Sequence, residues 1–205
     1  MSVLTAESPV VICQRALGLA EARNRFTSLE DRSSEAQEAR LRYDARRRSV
    51  LEALDWGFAR RRVVGQDVAG EATPPGLPRA WALPPECLRI RAVYPMGCDR
   101  LIRHSREEYV YTEDHGPVQI VFTRDIHNPV LFAPAFTQAL EFLLASEFSM
   151  VFARSVNRAD VMLSNFRAVM QEADALEAAE RSNIGEAYEA GAWADAISFP
   201  WMGAR

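Results

Sequence analysis

Hydrophobic residues recur at helical spacing near both ends of the chain. The first run follows Ser8, and a second follows Ser34, which opens an S-x-x-Q capping box before some twenty residues without Gly or Pro. Helical periodicity returns after Pro134 and again after Asn157, which is placed to cap the last helix. The pattern therefore predicts two helices in each terminal part of the chain.

One arginine interrupts the apolar stripe of the second predicted helix. Arg47 breaks this stripe midway, whereas Arg48 and Asp55 point away from it. Trp56 and Phe58 then end the helix, and we expect both to be buried. The stripe itself consists of Ala36, Ala39, Tyr43, Val50, Leu51 and Leu54.

Between the helical segments the pattern is that of short strands. Residues 60–64 read as the start of a strand, and residues 65–79 contain enough Gly and Pro to predict an exposed loop. Residues 88–94 alternate as a half-exposed strand does. Residues 109–112 and 118–123 flank turn-forming residues and predict a hairpin.

These patterns predict a mainly α fold, in which a four-helix bundle carries an inserted small antiparallel β lobe and an extended C-terminal arm. Residues 1–59 are expected to form a helical hairpin and residues 60–130 the β lobe. Residues 131–182 are expected to form the helical pair that completes the bundle, and residues 183–205 the arm.

The expected arm combines turn-forming residues with large apolar side chains. A disordered tail is usually poorer in aromatic residues, so we expect this segment to dock on another surface. Buried Trp and Phe side chains are frequent anchors of protein interfaces. The candidate docking residues are Trp193, Phe199, Trp201 and Met202.

Charge is unevenly distributed along the chain. All 24 basic residues are arginine, and the net charge is −4. Residues 33–62 hold eight arginines against five acidic residues, whereas residues 171–205 hold seven acidic residues against two arginines. This complementarity can act within one subunit or between neighbours. The candidate subunit-interface residues are Arg46, Arg47, Glu172, Asp174 and Glu177.

The residue types that carry catalysis do not form a recognisable pattern. The histidines lie eleven and twelve residues apart, which is not the spacing of a zinc site: His104, His115 and His127. The cysteines are odd in number and lack C-x-x-C spacing: Cys13, Cys87 and Cys98. We therefore expect a protein that is not an enzyme and has no cofactor or metal. The chain shows no basic leader and no long apolar run, so we expect it to be soluble and not secreted.

Several blocks of sequence point to a known family. "SLED" at residues 28–31 precedes an S-x-E-A element, and "VLEALDWGFARRR" occupies residues 50–62. "RAWALPPECLRIRAVY" at residues 79–94 combines Trp, Leu-Pro and Cys-Leu-Arg before a strand. With these blocks the chain resembles the head-to-tail adaptor of short-tailed phages, a family often called tail tubular protein A.

The resemblance implies a structural virion protein. It implies a homo-oligomeric, dodecameric ring beneath the portal protein, joined to the tail nozzle protein, with a central channel through which DNA passes without specific recognition. Such a protein is assembled in the host cytoplasm, has no membrane partner, and would use its arm to dock on the portal. The alternative is a small helical binding module or DNA-associated regulator that uses the Arg-rich helix.

Overall fold

The structure is a computed structural model that describes residues 7–22, 26–98, 100–113 and 116–182. The helices are α1 (Pro9–Leu19), α2 (Ser34–Ala53), α3 (Pro134–Phe148) and α4 (Val156–Ser182). The strands are β1 (Arg60–Val64), β2 (Gln66–Asp67), β3 (Arg79–Ala82), β4 (Cys87–Pro95), β5 (His104–Arg106), β6 (Val110–Thr112) and β7 (Val118–Arg124). The chain divides into two compact units. Asp55–Asp125 form the strand unit, and the segments before and after them form the helical unit.

Helix α3 is the centre of the helical unit. It packs against α1, α2 and α4, whereas α2 and α4 share no extensive contact among the described residues. Pro134 lies in its first turn, where a missing backbone N–H is tolerated. Its fully buried side chains include Phe136, Leu140, Leu143 and Leu144. An apolar face this broad suits a helix surrounded by other helices.

The cap of α2 lies one residue earlier than the sequence pattern suggests. Ser33 is the N-cap, because its hydroxyl accepts a hydrogen bond from the Ala36 N–H at 3.2 Å. The hydroxyl of Ser34 instead donates to its neighbour Glu35. The Gln37 side chain donates to a backbone carbonyl outside the helix, so the predicted capping box is wrong.

Two other helix boundaries in the structure also differ by a few residues from those that the sequence predicts. Helix α1 begins at Pro9 as expected but ends at Leu19, about one turn early. The N–H of Arg158 donates to the Ser155 hydroxyl at 3.3 Å, so Ser155 takes the capping role that the sequence suggests for Asn157. Within the described residues, we find no helix that is long and apolar enough to cross a bilayer.

The strand unit contains two antiparallel sheets. The first has the order β1-β7-β4, and the second has the order β2-β3-β6-β5. Both sheets contribute to one apolar cluster, whose buried members are Trp81, Cys87, Val93, Ile102, Val110, Val118, Ile120 and Phe122. Because side chains from both sheets pack in this cluster, the two sheets share one hydrophobic core.

Gly65 lies where the chain passes from the first sheet to the second. A Cβ at this position would lie 3.0 Å from side-chain atoms of both Trp81 and Val118. The Gly65 N–H donates to the Val118 carbonyl at 2.9 Å, which holds the backbone close to these side chains. The absence of a side chain at this position therefore permits the crossing between the sheets.

The predicted fold class is wrong. Of the residues that the structure describes, 49% are helical and 20% lie in strands of two antiparallel sheets, so the fold is mixed α/β rather than a mainly α bundle. Strands β2, β3 and β5 contain two to four residues each, too few for an alternating pattern to be visible in the sequence. The region between the helices consequently holds more sheet than the expected lobe.

The predicted hairpin is also wrong. Strand β6 pairs with β3 and β5, whereas β7 pairs with β1 and β4. The turn-forming residues between β6 and β7 therefore connect the two sheets and do not close a two-stranded hairpin. Local turn chemistry indicates a change of direction but not which strand becomes the partner.

Candidate functional site

Two arginines of α2 hold a carboxylate of α3. Arg46 Nη2 lies 2.6 Å from Glu147 Oε1, and Arg42 Nε lies 3.3 Å from Glu147 Oε2. Arg42 also contacts Glu38 one turn earlier. Residues four apart share one side of a helix, so both arginines face α3. Arg46, which the sequence predicts to lie at a subunit interface, therefore forms an ion pair within its own chain.

The environment of Glu147 favours its protonated form. Burial raises the pKa of Glu147, and this effect exceeds the opposing attraction of Arg46 and Arg42. Glu141, also on α3, lies 3.2 Å from Arg15 of α1, and burial likewise raises its pKa. Both carboxylates are partly removed from water, and the attraction of the neighbouring arginines only partly compensates for the lost hydration of the charged form.

Arg47 lies in the core of the helical unit, with no exposed surface. Its Nη1 donates to the Ile126 carbonyl at 2.7 Å, and its Nε lies 3.2 Å from Asp44 Oδ1. Its Nη2 lies 3.3 Å from His127 Nδ1. Because a guanidinium only donates hydrogen bonds, His127 Nδ1 is the acceptor in this contact. Arg47 is thus a core residue of its own subunit and has no surface with which to reach a neighbour.

The predicted acidic partners all lie on α4. Glu172 is exposed, whereas Asp174 and Glu177 are half-buried. Asp174 lies 4.0 Å from the buried Arg181 on the same helix. Helices α2 and α4 each pack on α3, so the fold does not bring the arginine-rich and acidic faces together in one subunit.

One fully buried carboxylate belongs to the strand unit. The side chain of Asp55 is fully buried, and it lies 3.3 Å from Arg60 Nη2 and 3.7 Å from Arg91 Nε. Arg91 also donates to Thr123 Oγ1 at 2.7 Å. Helical periodicity predicts that Asp55 lies on a polar helix face, but α2 ends at Ala53 and this periodicity no longer applies. The position of Asp55 directly before the large apolar Trp56 is the sequence feature that could indicate its burial.

Each of α2 and α4 presents a polar face with isolated apolar residues. The outer face of α2 consists of Arg40, Leu41, Asp44, Ala45, Arg48 and Glu52, all exposed. The outer face of α4 consists of Asp160, Val161, Ser164, Arg167, Ala168 and Glu172, also exposed. The acidic composition of this segment predicts the α4 interface residues by charge alone and does not distinguish the exposed side of the helix from its buried side.

Two of the three cysteine thiols are buried, whereas Cys98, His104 and His127 are exposed. Burial raises the pKa of the Cys13 thiol to about 12, and it raises that of Cys87 as well. His104 Nδ1 lies 3.2 Å from the carbonyl of Ile102, and His115 lies outside the described residues. Within the described ranges, no group of three His, Cys, Asp or Glu side chains is arranged to hold a metal ion.

The four predicted docking residues, Trp193, Phe199, Trp201 and Met202, lie outside the described residues. The two longest blocks of the adaptor resemblance lie within them. Residues 50–62 cover the end of α2 and part of the strand unit up to β1, and residues 79–94 cover β3 and most of β4. Comparison with models of known protein families and with curated proteins gives no match to this chain.

Proposed function

We propose that this chain is a structural virion protein of a short-tailed phage, a ring-forming adaptor that joins the portal protein to the tail nozzle. DNA passes through the channel of the ring. The proposal is supported by the resemblance of residues 50–62 and 79–94 to the adaptor family. It is supported further by the two outer faces on the helical unit.

A closed ring built from one kind of subunit needs two different, mutually complementary faces on each copy. The observation that carries the proposal is that one helical unit holds both. The outer face of α2 presents alternating charges, positive, negative, positive and negative, at Arg40, Asp44, Arg48 and Glu52. The outer face of α4 presents the order negative, positive, negative at Asp160, Arg167 and Glu172, which is opposite to that of the first three.

The remaining partners follow from the same proposal. Residues 183–205 act as the arm that docks on the portal, with Trp193, Phe199, Trp201 and Met202 as anchors. A net charge of −4 suits a channel that must not retain its DNA, because like charges repel. The protein belongs to the connector of the virion and is assembled in the host cytoplasm.

The contacts of the α2 arginines disfavour the alternative of a DNA-associated regulator. Arg42 and Arg46 face Glu147, and Arg47 is buried. Arg40 and Arg48 lie on the outer face, but they are separated by an acidic residue. A nucleic-acid surface is usually a continuous basic patch, and α2 does not provide one.

Size-exclusion chromatography with light scattering tests the proposal on the purified full-length chain, alone and after mixing with the portal protein encoded in the same genome. We expect a closed ring of defined mass that joins the portal ring in a stable complex. Electron microscopy of the peak should show rotational symmetry and an open channel. A chain that remains monomeric both alone and with the portal contradicts the proposal.

A further inference from the structure

The outer face of α2 has a large exposed apolar residue near its N-terminal end. Leu41 is 72% exposed and lies between the charged residues Arg40, Asp44 and Arg48 on the same side of the helix. The guanidinium of Arg40 is also largely exposed, with Glu30 at 3.6 Å as a distant partner. A leucine this exposed within an ordered helix provides apolar area that a partner can remove from water.

The outer face of α4 has small residues along its middle. Ser164 and Ala168 are small and lie along the middle of the face, with Val161 beside them at 54% exposure. Asp160 and Glu172 lie near the two ends of the face. Small side chains along a helix leave a shallow groove, into which a leucine of another helix can pack.

The two faces are exposed, and among the described residues α2 and α4 pack mainly against α3 and share no extensive contact with each other. We propose that the outer face of α2 binds the outer face of α4 on a second copy of this chain. This inference rests on the proposed ring and names the surfaces that build it. Leu41 packs over Ser164 and Ala168, and Arg40 and Arg48 pair with the acidic residues at the two ends of the α4 face.

The charge order fits this contact. Arg40 and Arg48 are eight residues apart, about 12 Å along a helix, and Asp160 and Glu172 are twelve residues apart, about 18 Å. The flexible arginine side chains span the difference of about 3 Å at each end when the faces are centred on each other. Glu52 lies about 6 Å beyond Arg48 along α2, past the acidic end of the α4 face in this register. Arg167 then lies near Asp44. Exposed ion pairs add little affinity individually, so their main effect is to fix the register and reject other partners.

Charge reversal on each face tests the contact. The α2-reversed variant carries Arg40→Glu and Arg48→Glu, and the α4-reversed variant carries Asp160→Arg and Glu172→Arg. All four side chains are exposed, so both variants should retain the wild-type circular dichroism and melting temperature. Each variant alone opposes like charges, and we expect the concentration needed for assembly to rise roughly tenfold or more. An equimolar mixture should assemble again, because the reversed faces complement each other.

The matched control is the double variant Arg100→Glu and Arg103→Glu, which reverses two exposed arginines of the strand unit and should assemble normally.

A second measurement, disulfide cross-linking, does not depend on whether the charge-reversed variants fold. In a Cys98→Ser background, Leu41→Cys with Ser164→Cys should give a ladder of disulfide-linked oligomers under mild oxidation. Neither single cysteine variant should give species larger than a dimer.

The outcomes separate the contact from the proposed function. If both reversed variants assemble like the wild-type chain, or if the cysteine pair gives no ladder, the contact is wrong, although a ring built through other surfaces still supports the adaptor. If mixing restores assembly and the products are open filaments, the contact is correct and the adaptor proposal fails. A wild-type chain that stays monomeric at every concentration tested overturns the contact.

Discussion

Arg47 occupies a core position because its long side chain ends on polar partners. The aliphatic part of the side chain continues the apolar stripe of α2, and the guanidinium reaches the carbonyl of Ile126 and the ring of His127. The carbonyl belongs to the segment by which the chain returns to the helical unit. The arginine therefore links α2 to this segment, and its burial is compensated by hydrogen bonds.

Replacing Arg47 with methionine tests this role. The methionine side chain would fill similar volume but leave the Ile126 carbonyl without its buried donor, which costs about 1–3 kcal/mol for an unsatisfied polar group. We expect urea denaturation of Arg47→Met to show a loss of this size. Arg48→Met is the matched control, because position 48 is exposed, and it should change stability by about 0.5 kcal/mol at most. Equal losses in both variants would contradict the core role of Arg47.

The raised pKa of Glu147 gives a prediction for the acid side of neutrality. A carboxyl whose pKa is higher in the folded than in the unfolded chain binds its proton more readily when folded. Stability contributed by this group therefore decreases as pH rises from the ordinary glutamate pKa through the folded pKa. Urea midpoints of Glu147→Gln and the wild-type chain should converge near pH about 4 and separate towards pH about 7, with the variant the more stable. The opposite order at pH about 7 would show that the two arginines outweigh burial.

The cysteines should differ in reactivity. Cys98 is exposed, Cys87 is buried, and the Cys13 thiol is both buried and shifted to a pKa of about 12. Only thiolates react with alkylating reagents, and at pH 8 such a thiol is ionised to roughly one part in ten thousand. We expect mass spectrometry to find native protein alkylated at Cys98 alone, and at all three cysteines in denaturant. Labelling of Cys13 in the native chain at the rate of Cys98 would contradict its burial.

At the scale of single elements, two neighbouring serines at the start of α2 have different roles. Ser33→Ala removes the side chain that accepts from the Ala36 N–H, and loss of such a cap costs about 1 kcal/mol. Ser34→Ala removes a hydroxyl that contacts only the adjacent glutamate among the described contacts, and should have little effect. Thermal denaturation of both variants decides between them. A larger loss in Ser34→Ala would favour the cap that the sequence suggests.

The helices were more predictable from the sequence than the strands. Helical periodicity extends over many residues, so the start of α1 and the position of α3 followed from spacing together with Pro9 and Pro134. Strand partners depend on contacts between distant segments, which period and turn chemistry do not specify. The separation of β6 and β7 into different sheets is the clearest example.

The candidate surfaces were predictable only in part. Charge along the sequence identified the α2 and α4 segments, but their faces depend on which side packs against α3. Arg46 and Arg47 show the difference, because one pairs with Glu147 and the other is buried. Solvent exposure is known only from the folded chain. It makes exposed residues such as Arg40 and Arg48 better interface candidates than Arg46 and Arg47.

At the scale of the whole molecule, the two proposed interactions use different parts of the chain. The proposed contact between copies uses the exposed faces of α2 and α4. The proposed portal contact uses residues 183–205, whose sequence contains Trp and Phe, residue types that frequently anchor interfaces. Self-association and portal binding should therefore be separable by mutation.

Truncation after Ser182 tests this separation. If residues 183–205 form an arm, the truncated chain should melt within about 2 °C of the full-length chain and should still self-associate. Binding to the portal protein should be lost, because the aromatic anchors are absent. The double variant Trp193→Ala with Trp201→Ala should reproduce this loss, whereas removal of residues 203–205 alone, which spares the anchors, should not. A lower melting temperature or aggregation would instead indicate that the segment covers apolar surface of its own subunit. Portal binding at wild-type affinity after truncation would rule out the arm.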